Sequence, residues 1–186
     1  MTDYKKLQNG SDVRGIALAG VEGEQVNLTP GIACDIAHAF ALWLSTKKNK
    51  PVENLQVAVG RDSRLSGKDL MEGVFDGLTT LGVTVHDCNM ASTPAMFMST
   101  VLPEFCFDGS IMITASHLPW NRNGLKFFTC EGGLEHEDIA EILSSTKEIH
   151  AAANVQLVKA CSLIDSYSTY LCAVSYTHLD VYKRQA

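Results

Sequence analysis

From Asn27 onward, short apolar runs alternate with longer amphipathic segments, and turn residues separate them. Thr29 and Pro30 supply a helix cap and a proline at the first helical position. Ile32, Ile36, Ala39, Phe40, Trp43 and Leu44 then recur near a 3.6-residue period as far as Lys47 and Lys48, which predicts a helix over about 30–49. Leu55 to Val59 reads as a strand ending in Gly60. Ser66 is placed to cap a second helix, whose apolar stripe runs through Leu70, Val74, Leu78 and Leu81 and which Gly82 stops. The same signals predict a strand over 83–86, a helix from Thr93-Pro94 towards Leu102, strands over 110–114 and 125–128, and a helix over 135–147. Strands alternating with helices make an α/β fold: a largely parallel sheet with helices on both faces, in which ligands meet the loops at the carboxyl ends of strands.

Residues 1–150 thus read as one complete domain. Residues 151–173 read as a connector, Ala151-Ala152-Ala153-Asn154, followed by the first helix of a second unit from Ile164 to Ala173. Residues 174–186 match neither a continuing helix face nor a strand. They resemble a peptide read from adapter sequence at the ends of translated fragmentary assemblies, so a non-native tail is expected.

A length of 186 residues accommodates one domain and the beginning of another. Hydrophobic residues at 46% and charged residues at 19% describe a soluble globular chain, with no window near the ~20 apolar residues of a membrane span. The first residues carry no apolar run of a secretory signal, which points to the cytoplasm. The net charge of −6 argues against a nucleic-acid module. It leaves phosphorylated small molecules open, because these need only local positive charge and the arginines concentrate near the glycine loops. The six cysteines, at 34, 88, 106, 130, 161 and 172, include no C-x-x-C pair and read as reduced, mostly structural thiols.

Two loops stand out. In Gly60-Arg61-Asp62-Ser63-Arg64-Leu65-Ser66-Gly67, two arginines and a run of amides lie between a strand end and a helix start. That arrangement suits an anion, and ion pairs that merely brace the loop are the alternative. In the second loop, a strand delivers Ser116 and His117, and Lys126 follows ten residues after the serine. An adjacent Ser-His pair is weak evidence by itself, since chain neighbours usually point apart. No G-x-S-x-G elbow supports a serine hydrolase.

The combination is more specific. Thr114-Ala115-Ser116-His117 with Pro119, then Asn123-Gly124 and Lys126, resembles the phosphoserine loop of the α-D-phosphohexomutase superfamily, which includes phosphoglucomutases and phosphomannomutases. The likeness extends in order to Gly10-Ser11-Asp12-Val13-Arg14-Gly15, to the Gly60–Gly67 loop and to Thr93-Pro94-Ala95, covering about residues 8–147. Leu118 departs from the asparagine many members carry after Ser-His, which blurs the subgroup more than the fold.

The resemblance implies a three-layer α/β/α domain with a mostly parallel mixed sheet, of the phosphoglucomutase first-domain type. It implies that Ser116 carries a phosphoryl group exchanged with a hexose phosphate through a bound hexose 1,6-bisphosphate, which also acts as activator. It puts Arg14 and Lys126 near that phosphate, with Lys126 or His117 moving the sugar hydroxyl's proton, and it makes Arg61, Arg64 and Asn123 candidates for binding phosphate. It implies Mg²⁺ held through the phosphate on Ser116 and by aspartates of a D-G-D-x-D-R loop. Neither that loop nor the family's sugar-reading and distal phosphate loops occur in these residues. The expected partners are therefore sugar phosphates and the remaining domains of a longer chain, and the fragment alone is expected to be inactive. A non-catalytic phosphosugar-binding or regulatory domain of the same fold is the other reading.

Overall fold

The structure is a computed structural model describing residues 3–149 and 154–183, with side chains described as far as Ser175. After a 3-10 turn at Tyr4–Leu7, the elements are β1 (Gln8–Asn9), β2 (Asp12–Ile16), α1 (Pro30–Lys48), β3 (Gln56–Arg61), α2 (Gly67–Thr79) and β4 (Thr84–Met90). They continue with α3 (Thr93–Met98), β5 (Gly109–Ile113), β6 (Arg122–Thr129), β7 (Gly132–Gly133), α4 (His136–Ser145), β8 (Val158–Ala160) and α5 (Leu163–Lys183). One mixed sheet runs in the order β1-β2-β6-β5-β3-β4-β8, with β7 beside β6. β5, β3, β4 and β8 are mutually parallel, while β6 runs antiparallel to both β5 and β2.

Strand alternation explains the three layers. Val57, Val59, Val85, Ile111, Ile113, Leu125 and Phe127 point to one face and pack with α1, α2 and α4. Ala58, Cys88 and Met112 point to the other and pack with Ala95 and Met96 of α3 and Leu163 of α5. The larger core holds fully buried Phe40 against Phe127, with ring centroids 4.8 Å apart. Burying one such side chain contributes roughly 1.5–3 kcal/mol. α1 and α2 touch through glycines: a Cβ at Gly73 would lie 2.1 Å from the Pro30 carbonyl oxygen, and one at Gly77 2.2 Å from that of Cys34.

The cap expected at Thr29 forms, its hydroxyl accepting from the Ile32 amide. The cap of α3 is Ser92 rather than Thr93, and the helix ends at Met98 rather than near Leu102. Ser66 precedes α2 without capping it, because its buried hydroxyl accepts a hydrogen bond from Asn123 instead. β2 falls outside the run of elements predicted from Asn27. Residues 158–160, expected in a connector, form the parallel edge strand β8 against β4. α5 does not stop near Ala173: its backbone is helical to Lys183, and no glycine or proline lies between Leu163 and Ala186 to end it.

No helix among the described residues is long and apolar enough to cross a membrane.

Candidate functional site

Ser116 sits just past the carboxyl end of β5, exposed, in the left-handed backbone region with φ of 54°. A non-glycine residue there is uncommon and persists only when its surroundings hold it. The Ser116 amide donates to Thr114 Oγ1 at 2.9 Å, and the Thr114 hydroxyl donates to Asp62 Oδ2 at 2.6 Å. The second Asp62 oxygen accepts from the Arg64 amide at 3.0 Å. The loop after β3 thereby grips the loop after β5, which the β3–β5 pairing had already brought alongside.

Arg64 completes the grip. Its Nη1 donates to the carbonyls of Pro119 and Arg122 at 2.8 and 3.0 Å, and its Nη2 to those of Ser116 and Leu118 at 2.9 and 2.7 Å. Its Nε faces Asp62 at 3.4 Å. Its four Nη protons are directed at these carbonyls and its Nε is buried beside Asp62 without a hydrogen bond, so the structure makes Arg64 the clasp of the serine loop rather than a ligand for phosphate. Asn123 is corrected in the same way. It is fully buried, donates to Ser66 Oγ at 2.9 Å and accepts from the Gly124 amide at 2.9 Å, which leaves it no open side towards a ligand. Arg61 is half-buried at the end of β3, with its guanidinium donating to Asn89 Oδ1 at 3.1 Å and to the Asp62 carbonyl at 3.2 Å.

The opposite wall is built on β2 and β6. Asp12 and Arg14 are two residues apart on β2 and share a face, and the β2–β6 register sets Val13 opposite Leu125, hence Asp12 beside Lys126. Lys126 Nζ donates to both Asp12 oxygens at 2.7 and 2.6 Å, and Arg14 Nη2 donates to Asp12 Oδ2 at 2.9 Å. The buried carboxylate thus orders two cations and leaves the cluster with one net positive charge. Arg14 Nε is buried without a partner. Gly124 lets this wall close on the serine loop, since a Cβ there would lie 2.4 Å from the Val13 carbonyl oxygen, 3.0 Å from that of Thr114 and 3.1 Å from Arg14 Cγ.

A third contact comes from the segment between β2 and α1. Glu24 accepts from Asn121 Nδ2 at 2.6 Å and pairs with Arg122, and these two hydrogen bonds hold its carboxyl below the ordinary carboxylate range. His117 is exposed on the loop and joins none of these networks. The structure therefore brings Arg14 and Lys126 together through Asp12, and ties Ser116 to Asp62 and Arg64.

Asp12, Asp62, Thr114 and Glu24 are the residues that sequence reasoning left out of the site. The two-residue spacings of Asp12 with Arg14, of Asp62 with Arg64 and of Thr114 with Ser116 carried a signal for the first three. Nothing in the pattern linked Glu24 to a loop 97 positions away.

The residues present do not by themselves fit a Mg²⁺ ion, which demands a near-octahedral oxygen shell. Among the described residues no group of three or more histidines, cysteines, aspartates or glutamates could hold a metal. Asp12 and Asp62 are both taken up by neighbouring cations and hydroxyl or amide donors. Ser116 Oγ is the oxygen that stands clear of both networks.

Known proteins resemble the chain in sequence and in fold. The chain is 38% identical over 150 residues to a phosphoglucomutase/phosphomannomutase of Thermococcus kodakarensis, covering 79% of this chain and 30% of that one. It is 34% identical over 136 residues to a phosphoglucosamine mutase of Caldicellulosiruptor saccharolyticus, covering 73% and 27% respectively. The chain thus spans about 30% of the length of such relatives. Among solved structures, a phosphoglucomutase/phosphomannomutase family protein from Burkholderia thailandensis superposes with a TM-score of 0.59 at 25% identity, covering 85% of this chain and 33% of that one. A putative phosphomannomutase from Thermus thermophilus superposes with a TM-score of 0.63 at 21% identity, covering 90% and 36%, and bears on the fold alone. The family model described as phosphoglucomutase/phosphomannomutase, alpha/beta/alpha domain I, matches residues 5–153. With the serine loop, the Asp12 cluster and strands β1 to β7 lying inside that span, the chain belongs to the phosphoglucomutase/phosphomannomutase family as its domain I.

Proposed function

We propose that this chain is the N-terminal part of a phosphohexomutase, which interconverts hexose 1-phosphate and hexose 6-phosphate by way of a phosphoryl group on Ser116. The observation that carries the reading is the exposed Ser116, held at positive φ by Thr114, Asp62 and Arg64, in a domain whose neighbouring strands β2 and β6 carry a cation pair ordered on Asp12. A phosphoserine brings about −1.5 to −2 charges at neutral pH. Lys126 directs two of its three ammonium protons at Asp12, which leaves the third, with the guanidinium of Arg14, to face that charge. Phosphoryl transfer gains most from such positioning and charge placement.

In the forward step the bond between phosphorus and Ser116 Oγ breaks, and a bond to a sugar hydroxyl oxygen forms. The hydroxyl proton passes to His117 or, where Lys126 enters the step as the neutral amine rather than the ammonium, to Lys126, and in the return step the intermediate's other phosphate restores the phosphoserine. Mg²⁺, when bound through the phosphate on Ser116, would neutralise further charge; its remaining ligands belong to residues outside this chain. Glucose and mannose phosphates are the proposed substrates, in keeping with the Thermococcus relative's name. The phosphoglucosamine mutases among the relatives add a third sugar to the assay panel.

Assays of the full-length protein with each hexose phosphate test this. We expect isomerisation of at least one sugar, abolished by Ser116→Ala while circular dichroism stays unchanged, and no turnover by residues 1–186 alone. Isomerisation that survives Ser116→Ala would overturn the reading. Tight sugar-phosphate binding without turnover by the full-length protein would favour the regulatory-domain alternative.

A further inference from the structure

Outside the serine site, two thiols meet at the far edge of the sheet. Cys88 lies on β4, buried among Ala58, Met96, Met112 and Phe107, and Cys161 follows β8 at the rim of the same cluster. The parallel register sets Asp87 opposite Ala160, and the Cys161 amide donates to the Asp87 carbonyl at 2.9 Å. Extending the register by one residue puts Cys88 directly opposite Cys161, with both side chains on the α3–α5 face. Adjacent strands run about 4.8 Å apart. That separation falls within the Cα range of roughly 4.4–6.8 Å that a disulfide accepts.

We propose that Cys88 and Cys161 form a reversible dithiol–disulfide pair, oxidised by a peroxide, which in the oxidised state staples β8 and the start of α5 to β4. The two cysteines have unequal roles. Cys161 is half-exposed, and the neighbouring Cys88 thiol favours its thiolate and holds its pKa below the ordinary value despite partial burial. Cys88, whose thiol donates to the His86 carbonyl at 3.6 Å, is pushed well above the ordinary range by the Cys161 sulfur and by burial, so it stays protonated until a partner is oxidised. The Cys161 thiolate attacks one peroxide oxygen, the O–O bond breaks, and hydroxide leaves, giving a sulfenic acid. Cys88 sulfur then attacks Cys161 sulfur, the S–O bond breaks, and water departs with the Cys88 proton. In sum, two thiols and one hydrogen peroxide give one disulfide and two waters, the sulfurs being oxidised and the peroxide reduced. The other cysteines offer no such pairing: Cys34 is buried in α1, and Cys106, Cys130 and Cys172 are exposed without a facing thiol among the described residues.

Brief treatment of the native chain with hydrogen peroxide, then alkylation in denaturant and peptide mapping by mass spectrometry, tests the pair. The expected product joins the Cys88 and Cys161 peptides, leaves Cys34, Cys106, Cys130 and Cys172 alkylated, and is released by dithiothreitol. In Cys88→Ala, dimedone should trap a sulfenic acid on Cys161; in Cys161→Ser, Cys88 should remain an alkylatable thiol. If Cys106, Cys130 or Cys172 is consumed before Cys161, or if Cys88 oxidises as fast in Cys161→Ser as in the unaltered chain, the assignment is wrong. The mapping of the unaltered chain decides the question even if a variant fails to fold, and it is independent of any mutase activity.

Discussion

Arg64 spends its guanidinium on four carbonyl oxygens of the loop that carries Ser116 and on the Asp62 carboxylate, so its replacement should loosen the loop before it disturbs the core. Hydrogen bonds to charged groups are worth roughly 1.5–3 kcal/mol each, with losses that do not add. Arg64→Met is expected to cost about 2 kcal/mol of stability in urea unfolding, the scale of one such bond. It should also slow phosphorylation of Ser116 in the full-length protein, with Arg64→Lys intermediate in both. A variant as stable and as readily phosphorylated as the wild type would remove the clasp. At this scale the sequence was legible for residue types and partly silent on roles. An arginine beside a glycine-rich turn suggests a phosphate, and only the fold reveals that its protons point to Pro119, Arg122, Ser116 and Leu118. Asn123 misleads for the same reason: a polar residue in a functional motif is buried against Ser66 to fix the strand beneath the serine loop.

At the scale of elements, the helices were readable because their apolar stripes are long and their starts are punctuated by Thr29-Pro30 and Thr93-Pro94. β2 was not, because Asp12, Arg14 and Gly15 put the site's chemistry where a strand usually shows alternating apolar residues. β8 was not, because three residues cannot display a period. The α1–α2 contact depends on missing Cβ atoms, and Gly77→Ala should push the helices apart at the Cys34 carbonyl, costing roughly 1–3 kcal/mol as overpacking does. A melting temperature unchanged by Gly77→Ala would mean the helices are not so tightly seated.

Two histidines give the sheet and α1 a pH dependence. Burial lowers the pKa of His86 on β4, stacked on Phe107 with ring centroids 4.0 Å apart and further disfavoured as a cation by Lys159, and burial likewise lowers that of His38 on α1. The unfolded chain takes up these protons near the ordinary value of 6.5, before the folded chain does. Stability is therefore highest above that pH and falls as pH drops from there towards the lowered folded values. Urea midpoints measured at about pH 7.5 and about pH 5.5, on either side of the ordinary histidine value, should differ less in the His38→Gln, His86→Gln double variant than in the wild type. Equal differences would show that other groups set the slope.

Across the whole molecule, one mixed sheet carries the serine site at the carboxyl end of β5, with the antiparallel pair β2–β6 supplying its cationic wall. The layered α/β/α architecture followed from the period of the sequence. The mixed character of the sheet came from the family resemblance and not from that period: β6 is antiparallel to β5 because the loop between them is too short for a parallel crossover, and β2 joins through its long-range pairing with β6. The chain spans about 30% of its relatives' length, so the phosphoryl transfer proposed for Ser116 is tested on the full-length protein. The most direct test is mass spectrometry of the full-length protein before and after a single addition of hexose monophosphate. The account predicts a phosphate on Ser116 that is lost to the sugar, with hexose bisphosphate appearing in equal amount. A phosphate found on another residue, or one on Ser116 that stays put while sugar phosphates interconvert, would contradict it.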